Sequence, residues 1–258
     1  MPKLPKQHRF VDLSDYGRPF AKVIANVFKN TSVTPIHITI AFIISGILAI
    51  ICILEGQYMA SAFFLILKSI LDAADGELAR IKNTPSYTGR YFDSISDIIL
   101  NFLFLFTIWY VTNGSVLMTL VAFFCIQLQG TLYNYYYVIM RNKFNGDATS
   151  RIFEVETPKA MKGESQQTVT ILFRLYHLLY GGFDKLIYLM DKDATRSNYF
   201  PKWFMTLVST FGLGFQLLVI GLLLVVDLAH LVIPFFIGSS VMILVFIFIR
   251  KNFLGVAR

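Results

Sequence analysis

Asp72 and Asp75 are three residues apart, Ala79 continues their face one turn on, and Asp93 and Asp97 are four apart. Each pair therefore shares one face of a helix. Residues 81–88 between them contain Pro85 and read as a turn. Folded back at that turn, two helices aim two carboxylates each at one point. Their depths agree: Asp72 is eight residues before Arg80 and Asp97 eight after Gly89, so both lie ~12 Å inside their helices. Four carboxylates this close repel one another and do not all stay charged unaided. Two divalent cations would neutralise them. An all-oxygen donor set selects hard ions, Mg²⁺ or Mn²⁺, and substrate phosphates commonly complete the coordination of such ions. Gly76, Ala79 and Gly89 leave room for a bulky ligand, and Arg80 offers a planar fork suited to phosphate. Asp97, at the deep end, is placed to take a proton from an attacking hydroxyl. The pattern predicts a two-metal site that binds a diphosphate. Lys68, one turn before Asp72, faces the same cluster, but one lysine does not offset four acids.

The helices that position these acids are apolar enough for a membrane. Of 258 residues, 55% are hydrophobic, and the mean hydropathy of +0.60 exceeds that of soluble domains. Runs near 20 residues, enough to cross a bilayer, occur at 34–54, 58–80, 90–112, 115–140, 203–226 and 230–249. The expected fold is an all-α integral membrane protein with six transmembrane helices. An acidic residue inside such a helix is expensive and marks function by default.

Loop charges orient the helices. Of 23 Lys and Arg, six precede the first run, three lie between 80 and 90, ten between 141 and 202, and three near the C-terminal end. Lys68 is inside the second run. The turns near Glu55, Asn113 and Asp227 carry none. This segregation puts both termini and the acid cluster on the cytosolic side. It also accounts for the net charge of +7 with no nucleic-acid partner. After Pro19, the residues Phe20, Val23, Ile24, Val27 and Phe28 repeat at helical spacing and predict an amphipathic interfacial helix. Residues 1–33 thus read as a cytosolic arm with that helix, and 34–258 as the membrane domain. Its insert, 143–201, is cytosolic or interfacial. Residues 169–190 in the insert are apolar but carry Arg174, Asp184 and Lys185. A seventh span there would put Arg250 and Lys251 outside, so they read as a helix along the cytosolic interface. Cys52 and Cys125 lie in apolar runs, far apart in sequence, and read as two buried thiols outside any disulfide. No apolar core follows the basic start closely enough for a cleavable signal peptide.

The string Asp-x2-Asp-Gly-x2-Ala-Arg-x8-Gly-x3-Asp-x3-Asp resembles the signature of the CDP-alcohol phosphotransferase (CDP-alcohol phosphatidyltransferase) family at every defined position: Asp72, Asp75, Gly76, Ala79, Arg80, Gly89, Asp93 and Asp97. Residues 34–39, Thr-Pro-Ile-His-Ile-Thr, resemble the family's Pro-Asn-x-x-Thr entry into the first helix and depart from it at Ile36. The resemblance implies a metal-dependent enzyme of phospholipid biosynthesis. It would move a phospho-alcohol from a CDP-alcohol to an acceptor hydroxyl and release CMP. Asp72, Asp75, Asp93 and Asp97 would bind two Mg²⁺ or Mn²⁺ ions, with Asp97 also the general base. Thr39, Asp75, Gly76, Ala79, Arg80 and Gly89 would hold the cytidine diphosphate. The resemblance further implies a homodimer, membrane lipid as reactant and a site facing the cytosol.

Ser94 follows the third aspartate where eukaryotic choline and ethanolamine enzymes of the family carry His, which favours CDP-diacylglycerol as donor over CDP-choline or CDP-ethanolamine. Arg141, Lys143 and Arg151 are candidate acceptor-binding residues, with positive-inside anchoring as the plainer reading. Tyr133, Tyr135, Tyr136 and Tyr137 suit an interfacial aromatic belt. His37 and His177 have no partner at metal-ligand spacing. A membrane prenyltransferase would need a second Asp-rich motif on another helix pair, which this chain lacks. A non-enzymatic membrane protein with a structural ion site is the alternative of another class.

Overall fold

The computed structural model describes residues 4–144, 156–197 and 200–254, and its regular elements among these are all helical. The helices are α1 Arg18–Phe28, α2 Pro35–Leu54, α3 Tyr58–Lys82, α4 Tyr87–Thr112, α5 Val116–Lys143, α6 Gln166–Met190, α7 Lys202–Val208, α8 Leu213–Val225, α9 Val232–Ser239 and α10 Val241–Phe253. Their ends follow local chemistry. Pro35 opens α2, and His37 Nδ1 accepts from the Thr34 N–H at 3.0 Å, so this histidine closes a cap. The turn from α2 to α3 passes through Gly56 at φ +68°, a left-handed position that glycine occupies freely. Asn83 and Asn113 take the same conformation after α3 and α4. Ser86 and Ser115 cap the starts of α4 and α5.

Four stretches are long and apolar enough to cross a membrane: Pro35–Leu54, Tyr87–Thr112, Val116–Lys143 and Ala229–Phe253. A fifth is bent by 55° where Lys202–Phe211 meets Leu213–Val225. The other expected span, α3, has 25 residues but carries Lys68, Asp72 and Asp75 in its apolar part. Ile40, Ile44, Ile47, Leu48, Ile51 and Leu54 leave one face of α2 apolar and open, a surface that suits lipid and not water. The opposite face, with Phe42, Ala49 and Ile53, joins the main core with α3, α4, α5, α8 and α9. The chain is an integral membrane protein by these faces. Cys52 and Cys125 are free.

Two buried glutamines tie the broken helices to α5. Gln129 Nε2, with two N–H groups, lies within hydrogen-bond reach of the Phe236 carbonyl at 3.2 Å and of Ser239 and Ser240 Oγ at 3.1 and 2.9 Å, at the junction of α9 and α10. Gln216 Nε2 donates to the Ile126 carbonyl at 3.2 Å and to Gln129 Oε1 at 3.3 Å. Breaks inside a membrane are tolerated where neighbouring side chains supply such partners.

Helix α1 forms as expected, but its two faces do different work. Ala21 and Ala25 are buried against Ala74 and Leu78 of α3, and Phe20, Val23 and Val27 stay exposed as an apolar stripe. The residues before it do not lie free. Leu13 N–H donates to Ser209 Oγ at 2.9 Å, and Asp12 accepts from Tyr133. The Ser14 carbonyl presses on Gly214, where a Cβ would lie 1.9 Å from its oxygen. The expected helix at 169–190 is present as the body of α6. It packs along the start of α4 through Tyr91, Phe173 and Tyr176. At its far end Asp191 is fully buried. Arg250 Nε and Tyr136 Oη donate to Asp191 Oδ2 at 2.7 and 2.6 Å, and Tyr135 Oη donates to its carbonyl at 3.0 Å. This knot ties α5, α6 and α10 together.

Arg250→Met strands the Asp191 charge and is expected to destabilise the protein by about 3–5 kcal/mol. Adding Asp191→Leu should recover most of the lost melting temperature in detergent; no recovery would refute the pairing. Gly214→Ala is expected to push the N-terminal turn off α8 and lower the melting temperature without loss of helical circular dichroism. An unchanged melting temperature would refute that contact.

Candidate active site

Helices α3 and α4 are joined by the short turn between Lys82 and Tyr87 and present their acids to one another across a cavity of about 1230 Å³; they do not pack closely together, and α2 lies against both. Carboxylate oxygens of Asp72, Asp75 and Asp93 lie within 4.8 Å of one another. Thr39 Oγ1, reaching over from α2, donates to Asp75 Oδ2 at 2.7 Å and fixes that carboxylate. Asp93 Oδ1 is buried and has no hydrogen-bond partner among the described residues. Buried anionic oxygens are seldom left so. Three convergent carboxylates with one unanswered oxygen fit a hard divalent cation.

Asp97 stands apart from this group. The ammonium of Lys68, fully buried in α3, pairs with Asp97 Oδ1 and lies 3.4 Å from Asp72 Oδ2. The sequence places Lys68 one turn from Asp72, so the i,i+4 pair was the evident partner. The tertiary contact with α4 gives the closer one.

The other expected binding residues all line the cavity: Thr39, Gly76, Ala79, Arg80 and Gly89. Arg80 is not a free fork, because its Nη2 donates to Glu77 Oε2 at 2.7 Å. The same oxygen accepts from Arg18 Nη1 at 3.4 Å, which joins α1 to α3. Sequence reasoning passed over Glu77, although its i,i+3 spacing to Arg80 is a helix-pair signal. At Gly76 a Cβ would come within 3.5 Å of Arg80 Nη1, so its absence keeps the space over the guanidinium open. Gly89 works locally: its N–H donates to Ser86 Oγ at 2.8 Å, where a Cβ would crowd that oxygen at 3.3 Å.

Of the candidate acceptor residues, Arg141 is on the cavity wall beside Tyr137. Lys143 instead donates to the Ser197 carbonyl. Arg151 lies outside the described residues. Ser94 lines the cavity, and its carbonyl accepts from Tyr180 Oη of α6 at 2.8 Å. The N-terminal arm adds Asp12, Ser14 and Asp15 to the wall. Its sequence gave no sign of that role, since the contacts are with residues far along the chain.

The insert closes over the start of α4. Glu164 Oε1 accepts from Thr88 N–H at 2.7 Å and Ser86 Oγ at 2.8 Å, and Oε2 accepts from Met161 N–H at 2.9 Å. A carboxylate at a helix N-terminus meets unpaired N–H groups and the positive end of the dipole. Burial pushes the Glu164 carboxyl up, but the bonds from Thr88, Met161 and Ser86 outweigh it and hold it below the usual range.

Residues 32–211 match the CDP-alcohol phosphatidyltransferase family. That is well over half of the chain, and the chain belongs to this family. It is therefore a transferase of substituted phosphate groups. A stretch of 148 residues is 32% identical to the bifunctional IPC transferase and DIPP synthase of Thermococcus kodakarensis. The match takes in 57% of this chain and 33% of the relative, so the chain spans about a third of the length of that protein.

Because the Glu164 carboxyl is depressed in the folded state, its contribution is present above the ordinary carboxylate value of about 4.3 and fades as pH falls through the folded value. Glu164→Gln is expected to lower the melting temperature at neutral pH, with the gap from wild type closing below about pH 4. A gap that widens in acid would refute the anchor.

Proposed function

We propose that this chain transfers a phospho-alcohol from a CDP-alcohol to the hydroxyl of a second alcohol, releasing CMP, with Mg²⁺ or Mn²⁺ at Asp72, Asp75 and Asp93. The observation that carries the reading is the convergence of those three carboxylates within 4.8 Å in a cavity also lined by Thr39, Gly76, Ala79, Arg80 and Gly89. A bound divalent cation supplies affinity for the diphosphate and disperses charge on the transferred phosphoryl. Gly76, Ala79 and Gly89 give the cytidine diphosphate its space, and Arg80, held by Glu77, presents a second guanidinium edge to it. Thr39 orients Asp75. Asp97 is the general base, its carboxylate positioned by Lys68 to take the acceptor proton.

CDP-diacylglycerol is the favoured donor. Ser94 on the cavity wall supports it, as does the wall's mixture of charged residues with Ile126 and Leu213, which suits a reactant with lipid tails. Arg141 is the remaining acceptor candidate among the described residues. In the membrane, α3 makes the sixth span beside α2, α4, α5, the bent α7–α8 pair and α9–α10. Six crossings return both ends to one side, which the loop charges make the cytosol. The homodimer rests on the family resemblance alone.

The test is a product screen on the purified protein with CDP-diacylglycerol, CDP-choline and CDP-ethanolamine against a panel of alcohols. CMP is expected from CDP-diacylglycerol only when Mg²⁺ or Mn²⁺ is present, with the lipid product identified by mass. CMP from CDP-choline and diacylglycerol instead would overturn the donor assignment. Asp93→Asn and Asp97→Asn should each lower kcat by about 10²–10⁴. Activity retained in either variant would overturn the site.

A further inference from the structure

Lys68 has no counterpart in the motif residues, yet it is the most enclosed charge in the site. Its side chain is 0% exposed. One side of the ammonium faces Asp97 and Asp72, and another faces the Phe42 ring of α2, 4.5 Å from the centroid. A buried ammonium is tolerated only when paired, and a ring face adds to its hold. Lys68 therefore stays where the carboxylates are. Three carboxylate oxygens converge within 4.8 Å, and the ammonium joins Asp72 of that group to Asp97, which is outside it.

A fixed positive charge there bears on how many ions the site takes. A second divalent ion bridging Asp97 and Asp72 would share both carboxylates with the ammonium. At ~4 Å and an effective dielectric of 20, two unit charges repel by about 4 kcal/mol, and a doubly charged ion doubles that. With Lys68 in place, one divalent ion leaves the four acids short of neutral by a single charge. Two would overfill them.

We propose that Lys68 is a resident cation standing in for one of the two metal ions that the four-aspartate motif leads one to expect. The site then takes one divalent cation, on Asp72, Asp75 and Asp93, and Asp97 is not a ligand. This rests on the metal-dependent reading of the site given above. It leaves Asp97 undivided between metal and proton, which suits a base.

The experiment counts Mn²⁺, added alone without nucleotide, on the full chain in detergent, by equilibrium dialysis and electron paramagnetic resonance. Wild type is expected to bind one ion with no spin coupling. Lys68→Met is expected to bind a second and to show coupled spins. Asp97→Asn should still bind one, and Asp93→Asn should weaken binding at least about tenfold. Two ions or none on wild type, or loss of the ion in Asp97→Asn, would overturn the proposal. If Lys68→Met does not fold, wild type and Asp97→Asn decide it. A chain that binds one Mn²⁺ but releases no CMP from any CDP-alcohol refutes the proposed activity and leaves the stoichiometry standing. One that releases CMP with two ions bound refutes only the role of Lys68.

Discussion

Four carboxylates gathered on otherwise apolar helices, and partly withdrawn from water, are the constraint around which this fold is arranged. Each costs several kcal/mol unless a partner or a cation answers it. The chain meets this cost by surrounding the least apolar of its long helices. Helix α3 packs against α2 through Ser45 and Phe64, against α1 through Ala21 and Ala25, and against α8 through Gly221, which sits on Ala62. The packing brings polar partners to the acids: Thr39 from α2 to Asp75, and Lys68 of α3 to Asp97 of α4. Small residues on the neighbours permit close approach, so the aspartates keep fixed positions despite their mutual repulsion.

The charged cluster also organises the end of the bundle where α3 turns toward α4. Glu77 sits between Arg18 and Arg80, and Lys82 donates to the Thr31 and Val33 carbonyls at 2.7 and 2.6 Å. The last turn of α3 is thereby tied to α1 and to the entry of α2. Arg80 is positioned through Glu77, and the segment leading into Thr39 is positioned through Lys82. The binding wall is built from these short ties as much as from the motif residues.

The sequence made the hairpin and its acids legible because helical spacing acts over one or two turns, where neighbours on a face are fixed by geometry. Asp72, Asp75 and Asp93 meet as that spacing requires. The choice of Lys68 for Asp97 was not legible, because it depends on how α3 and α4 are rotated against each other. Glu164 was hidden for the same reason. Its partner Ser86 is 78 residues away, and nothing local links a turn in a polar insert to a helix cap. The apolar run at 203–226 read as one span since hydropathy does not register direction. Its 55° bend arises at Gly212, where the N-terminal turn presses in.

That inserted turn has a consequence for which parts of the chain the site depends on. Leu13 meets Ser209 across 196 residues, and Ser14 meets Gly214. The acids of α3 and α4 are joined through one short turn and lie within 26 residues of one another, from Asp72 to Asp97. The wall contributed by Asp12, Ser14 and Asp15 is held against α8. The acids of the site are thus close in sequence, and the chamber around them is completed by a contact that spans 196 residues.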